Sequence, residues 1–402
     1  MKYAILLCDG MADRPVEELK GQTPMEAACT PCMDKLVPDA LLGLVKTVDD
    51  TLSPGSDVAN LSVLGYDPLK YYTGRSPLEA CSMGISLTES DLALRANLVT
   101  LSDEERYEDK TLLDYCAGDI STEDAAVLIE YLKQFVNSEE FSLFTGISYR
   151  HCLVWHKGAA QEVLTPPHDI TGQAIAAHLG GHKKTAPLYD IMKKSHELLK
   201  NHPLNQKRQQ EGKAPANSLW FWGQGKKPSL PCFSEEFGMQ GAIVSAVDLL
   251  KGIGVCAGME VPCVEGATGY IDTNFEGKAA AALEVLAQDC DFVYIHVEAP
   301  DECGHRGEVH QKVKAIEAID SRVLRPLLEG LSVYDNYRLL ILPDHPTPLS
   351  VKTHTRDAVP FLLYEKNKPY QSGQVQFTEK TCQSAGLLVE PGCRLAREYL
   401  LG

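Results

Sequence analysis

The sequence predicts an α/β protein with a mainly parallel central sheet and a smaller inserted α+β domain. Two observations carry this. Short apolar runs without helical period, Tyr3 to Cys8, Phe292 to Val297 and Arg338 to Leu342, read as strands buried on both faces. Between Leu87 and Leu188 the texture changes to mixed strands and amphipathic helices, which divides the chain into 1–86 with 189–402 and an insert at 87–188.

Taken in order, Tyr3 to Cys8 ends at Asp9-Gly10. A carboxylate there stands where open α/β sheets place ligands, and Gly10 leaves room for a close approach. The stretch Ser53-Pro54-Gly55-Ser56-Asp57-Val58 puts Ser56 at the first residue of a helix running to Leu64, directly after a Pro-Gly turn. The unpaired N–H groups of a helix start favour an anion, so a phosphoryl group on Ser56 would be stabilised. An ordinary helix cap is the alternative. Tyr71 to Ala80 is a loop leading into a second helix; its Arg75 could reach an anion bound near Ser56, or could be a solvated surface residue.

Within the insert, Leu92 to Leu98 and Cys152 to Trp155 read as strands, and Thr122 to Phe135 and Ile170 to Leu179 as helices. Arg95-Ala96-Asn97, Tyr149-Arg150-His151 and Pro167-His168-Asp169 are polar landmarks that could bind a carboxylate and hydroxyls, or could be caps and surface groups. The polar stretch Leu199 to Pro215 reads as a solvated helix end or connector. Ser218 to Trp222 and Gly241 to Val247 read as further strands, with a helix starting at Asp248.

Composition excludes several classes. Net charge is 38 − 55 = −17, with no basic run, which argues against nucleic acid and anionic membrane as partners. The 13 cysteines are scattered; Cys29 and Cys32 come nearest to a redox or zinc pair, but no second pair follows. Scattered thiols suggest a reducing cytoplasm, and no apolar run has the length of a signal or a membrane span. No G-x-x-x-x-G-K-[ST] loop occurs, and Gly180 to Thr185 lacks the leading glycine, so nucleotide chemistry has no support.

The last third supplies the chemistry. Phe292 to Val297 runs into Glu298-Ala299-Pro300-Asp301 with His305, Arg338 to Leu342 runs into Pro343-Asp344-His345, and His354 follows. Asp9, Asp301 and Asp344 thus lie past the carboxyl ends of three strands, with His305, His345 and His354 in the loops beside them. Six oxygen and nitrogen donors on one sheet edge suffice for two divalent cations, with Ser56 as a further ligand. The absence of cysteine argues for Mn²⁺, Mg²⁺ or Zn²⁺.

Asp9-Gly10-Met11, the run from Pro54 to Ser62, Glu298 to Asp301 with His305, Asp344 to Pro348 and His354-Thr355 resemble the alkaline phosphatase superfamily, and within it the cofactor-independent phosphoglycerate mutases of archaeal type. The resemblance spans essentially the whole chain. It implies a three-layer sandwich, an isomerase that interconverts 3-phosphoglycerate and 2-phosphoglycerate in glycolysis and gluconeogenesis, and Ser56 as the phosphorylated nucleophile. It further implies Asp9, Asp344, His345 and Ser56 at one metal and Asp301, His305 and His354 at the other. Mn²⁺ is expected, with Mg²⁺, Zn²⁺ or Co²⁺ as alternatives, and neither 2,3-bisphosphoglycerate nor a nucleotide. Arg75, Arg150, His151, His168, Asp169 and Lys278 are assigned to the small phosphorylated substrate, and a homo-oligomer is compatible. An insert that excludes water would keep a phosphoserine from hydrolysis. A metal-dependent phosphatase or phosphonate hydrolase, or a phosphotransferase like the relatives labelled homoserine kinase, is the alternative on the same scaffold.

Overall fold

The computed structural model describes residues 1–158, 164–179 and 186–402. It divides into two compact units, Met1–Tyr72 with Ser229–Gly402, and Thr73–Pro228.

The first unit is built on a seven-stranded sheet. From one edge the strands are Leu388–Val389, Leu41–Val45, Val359–Glu365, Tyr337–Leu342, Lys2–Cys8, Phe292–Val297 and Gly241–Val244. Lys2–Cys8 is parallel to both neighbours, with Leu7 opposite Leu342 and Cys8 opposite Val297. Val359–Glu365 alone runs against both of its neighbours. The apolar runs bury both faces, as their lack of alternation required. Ala4, Leu6 and Cys8 pack into a core with Phe275, Ala279, Ile316 and Leu327, while Ile5 and Leu7 are fully buried on the opposite side. Each such Ile or Leu contributes about 1.5–3 kcal/mol on burial, so this sheet is a stiff base. The three strands that precede Asp344, Asp9 and Asp301 are adjacent and parallel, so their carboxyl ends emerge together.

The second unit is an antiparallel sheet with helices against it. Leu92–Leu101 pairs with Leu112–Asp114, Arg150–Trp155 and Ser218–Lys226, and Phe141–Ile147 extends the sheet beyond Arg150–Trp155. Helix Thr122–Val136, capped by the Ser121 hydroxyl on the Asp124 N–H (3.2 Å), packs on Phe141–Ile147.

Several local expectations need correction. The compact unit is wider than the expected 87–188, because Ser218–Lys226 pairs along Leu92–Leu101 and helix Arg75–Ser82 packs on both strands. Strand pairing at a separation above 100 residues leaves no local mark on the sequence. Ile170 to Leu179 is not one helix but short 3₁₀ turns, Pro167–Ile170 and Ile175–His178, separated at Gly172 with φ of +82°. Leu199 to Pro215 is not wholly solvated: it contains helix Pro203–Gln210, whose Asn205 and Arg208 are buried. Arg208 bonds the carbonyls of Ala214 and Ala117 and the Asp124 carboxylate, and Asn205 bonds those of Leu199 and Ala216. Polar composition concealed this burial because every polar group is satisfied. Gly180 to Thr185 lies outside the described residues. Among those described, no helix is long and apolar enough to cross a membrane.

Candidate active site and metal-binding cluster

Ser56 opens helix Ser56–Val63, and Gly55, with extended backbone, is the cap residue. The Ser56 hydroxyl therefore does not cap its helix. Its Oγ lies 3.0 Å from His345 Nε2. Asn60, one turn on, donates to the Ser56 carbonyl and to Asp344 Oδ2, both at 2.8 Å, which ties the start of the helix to the end of strand Tyr337–Leu342.

Around that hydroxyl the three strand ends bring their side chains together. His345 Nε2 is 3.3 Å from Asp344 Oδ2 and 3.7 Å from Asp9 Oδ1. Asp301 is in the first turn of helix Ala299–Arg306, not in a loop, and His305 lies one turn further on the same face. His305 Nε2 is 3.1 Å from Asp301 Oδ2, and His354 Nε2 is 3.5 Å from Asp301 Oδ1. The His345 and His354 rings stack with centroids 3.9 Å apart. Gly10 is needed where it stands: its φ is +61°, and a Cβ there would meet Asp301 Oδ1 at 2.6 Å.

Two sets of ligand atoms are close enough to share an ion: Asp301, His305 and His354, and Asp9, Asp301 and His345. Hydrogen-bond directions show that both sets fit a cation. His305 Nδ1 donates to the Lys352 carbonyl at 3.0 Å, which in the neutral ring leaves a lone pair on Nε2, facing Asp301 and His354 Nε2 at 3.0 Å. The Thr347 hydroxyl donates to Asp301 Oδ1, so its oxygen accepts from His345 Nδ1 at 3.3 Å. His345 Nε2 then also presents a lone pair toward carboxylates. Asp9 Oδ1 is buried with no hydrogen-bond partner. A positive charge placed between such lone pairs and the carboxylates would be stabilised by both.

The titration behaviour has the same cause. Burial and the charges of Asp344, Asp301 and Glu298 push Asp9 well above the usual carboxylate range. Burial also opposes the charged form of Asp301, but hydrogen bonds from His305 and His354 outweigh it and hold that carboxyl well below the usual range. His305, desolvated yet bonded to Asp301, is raised to about 9. A proton there supplies charge that a bound cation would provide.

A second charged cluster lies within the other unit. Arg75 Nε bonds Glu79 Oε1 at 2.8 Å, and Arg95 Nε is 3.2 Å from Glu79 Oε2 but misaligned, leaving that buried N–H without a hydrogen bond. Arg95 stacks over Trp222 at 4.7 Å. Burial resists ionisation of Glu79, but Arg95, Arg75 and Arg150 together keep it low, so three guanidiniums face one carboxylate. His168 stands against Trp222 and Tyr115, with Asp169 Oδ1 3.5 Å from its Nε2.

Two expected substrate residues lie elsewhere. Arg150 pairs with Asn97 and His151 with Ala96, so the pleat turns them to opposite faces. His151 is buried, with Nδ1 accepting from the Gly146 N–H. Lys278 is in the first unit, fully buried, its ammonium 2.9 Å from the His296 carbonyl.

Comparison with known proteins identifies the family. A family model for 2,3-bisphosphoglycerate-independent phosphoglycerate mutase matches residues 39–205. A Geobacter sulfurreducens protein described as a probable mutase of that kind is 50% identical over 400 residues, all of both chains. One from Methanosarcina barkeri is 50% identical over 389 residues, 96% of each. The chain belongs to the 2,3-bisphosphoglycerate-independent phosphoglycerate mutase family. The solved PH0037 protein from Pyrococcus horikoshii shares the fold at a TM-score of 0.82 and 31% identity, covering 98% of this chain and 95% of that one.

Against this mutase family background, the residues that sequence reasoning missed are those that hydrogen-bond the expected ligands. Asn60 bonds Asp344, Thr347 bonds Asp301, and His296 bonds Asp9 at 2.8 Å. Tyr294, on the same strand as His296, donates to Asn60 Oδ1 at 2.5 Å. Strand alternation could have flagged Tyr294 and His296, polar side chains in a run otherwise buried on both faces.

Proposed function

We propose that this chain interconverts 3-phosphoglycerate and 2-phosphoglycerate without 2,3-bisphosphoglycerate, through a phosphoserine on Ser56, as a step of glycolysis and gluconeogenesis. The observation that carries the reading is the Ser56 hydroxyl at a helix start, 3.0 Å from a histidine whose neighbours are the orphaned oxygen of Asp9 and the carboxylate of Asp344. Asp301, His305 and His354 would hold one divalent cation, and Asp9, Asp344, His345 and Ser56 the other. When bound, Mn²⁺ or a similar ion would acidify the Ser56 hydroxyl and neutralise phosphoryl charge.

In this reading Ser56 Oγ gives up its proton and forms a bond to phosphorus as the bond to the C3 oxygen of the substrate breaks, and that oxygen takes up a proton. The 2-hydroxyl of glycerate then gives up its proton and attacks the phosphoserine as the bond from phosphorus to Ser56 Oγ breaks, Ser56 Oγ is reprotonated, and 2-phosphoglycerate results. N–H groups at the start of helix Ser56–Val63 favour the phosphoryl charge throughout. Asn60 holds the nucleophile's backbone against Asp344. Within the second unit, the guanidiniums of Arg75, Arg95 and Arg150 around Glu79 form a cationic cluster suited to an anionic group.

The test is an enolase-coupled assay with 3-phosphoglycerate, without 2,3-bisphosphoglycerate, across Mn²⁺, Mg²⁺, Zn²⁺ and Co²⁺. Isomer formation with a trapped phosphoserine supports the reading. Release of inorganic phosphate faster than isomer formation would replace it with a phosphatase.

A further inference from the structure

Behind the ligand cluster a hydrogen-bond chain runs to Asp9 from the loop after strand Gly241–Val244. The Val247 N–H donates to Ser245 Oγ at 3.0 Å, Ser245 Oγ lies 3.1 Å from His296 Nδ1, and His296 Nε2 lies 2.8 Å from Asp9 Oδ2. Ser245, His296 and Asp9 are all buried, so water does not substitute for any link. The direction of the chain is fixed from both ends. With a cation beside it Asp9 is ionised and only accepts, so His296 Nε2 carries the proton. Nδ1 of the neutral ring then accepts, and the Ser245 hydroxyl, whose oxygen already takes the Val247 N–H, gives its proton there. Asp9 Oδ2 is thereby occupied by the protein, while Oδ1 is left with no hydrogen bond, 3.7 Å from His345 Nε2.

We infer that His296 is a positioning residue: it assigns one oxygen of Asp9 to the fold and reserves the other for a divalent cation, and Ser245 fixes the imidazole tautomer that makes this possible. The inference rests on the two-cation reading given above. It explains why a histidine and a serine, neither of which faces Ser56 in the hydrogen-bond network, are buried at full hydrogen-bonding cost beneath the sheet edge.

The experiment titrates metal-stripped full-length protein with Mn²⁺ by calorimetry, comparing wild type with His296→Leu, His296→Gln and Ser245→Ala, with circular dichroism to establish folding. A glutamine can place an N–H near the former Nε2, whereas leucine cannot. His296→Leu is expected to weaken Mn²⁺ binding about 10–100-fold, His296→Gln to recover most of that loss, and Ser245→Ala to show a smaller loss. A folded His296→Leu protein that binds Mn²⁺ within about twofold of wild type would overturn the inference while leaving the two-cation reading intact. If His296→Leu does not fold, equal binding in Ser245→Ala and wild type overturns it instead. A wild-type protein that takes up no Mn²⁺ overturns the reading and the inference together.

Discussion

The sheet edge of the first unit and the arginine cluster of the second are charged in opposite senses. At the sheet edge, Asp9, Asp301 and Asp344 converge with His305, His345 and His354; in the other cluster, Arg75, Arg95 and Arg150 surround one carboxylate, Glu79. Each is left with an unpaired buried atom, Asp9 Oδ1 in one and Arg95 Nε in the other. Buried charge of one sign is costly without a partner. On the reading proposed above, the difference is that the first cluster would take a cation and the second an anion.

The sharpest way to break this contrast is at Ser56. Ser56→Ala is expected to lower mutase turnover by at least about 10⁴-fold with an unchanged circular dichroism spectrum, because among the described residues the hydroxyl hydrogen-bonds His345 and does not cap its helix. Retained turnover would end the phosphoserine reading. Next comes metal removal. Chelation is expected to abolish activity, and Mn²⁺ restored at about 100 times its dissociation constant should add about 2.7 kcal/mol of stability, seen as hydrogen-exchange protection in the first unit and not in the second. Equal protection in both units would dissolve the comparison.

Smaller effects belong to the anion side. Arg75→Ala and Arg150→Ala are each expected to raise KM for 3-phosphoglycerate about 10–100-fold, the size of a lost charge-assisted hydrogen bond, without altering Mn²⁺ affinity. A change in Mn²⁺ affinity with unchanged KM would assign these arginines to a different role. The mildest test is acidity. His151 and His196, both in the second unit, are depressed by burial, to about 3 and about 4. A folded-state value below the unfolded one means that the unfolded chain takes up the proton first. Their contribution is therefore complete above about pH 6.5 and falls as pH drops toward 4, at up to about 1.4 kcal/mol per pH unit for each histidine. Urea unfolding between pH 7 and 5 measures this slope, and His151→Phe should reduce it. An unchanged slope in that variant would remove His151 from the account.

Much of the site was legible because its signals are local. Asp9-Gly10, the Pro-Gly turn before Ser56, Asp301 with His305 and Asp344-His345 are each contiguous or one helical turn apart, and the strand that precedes a carboxylate announces itself by an unbroken apolar run. What the sequence did not show depends on partners distant in the chain. The pleat set His151 against the core and Arg150 away from it, and Lys278 is consumed by the His296 carbonyl. The strand Ser218–Lys226 belongs to the insert because of Leu92–Leu101, more than 100 residues earlier.

By itself, then, the chain specified which side chains stand at strand ends and helix starts, where the proposed chemistry would take place, since those positions follow from short-range geometry. Only the folded structure decided which oxygen of Asp9 is spoken for, which nitrogen of His305 and His345 bears a lone pair, and which strands share a sheet. Those choices are made by hydrogen bonds between segments hundreds of residues apart, such as His296 to Asp9 and Asn60 to Asp344, and no spacing in the sequence records them.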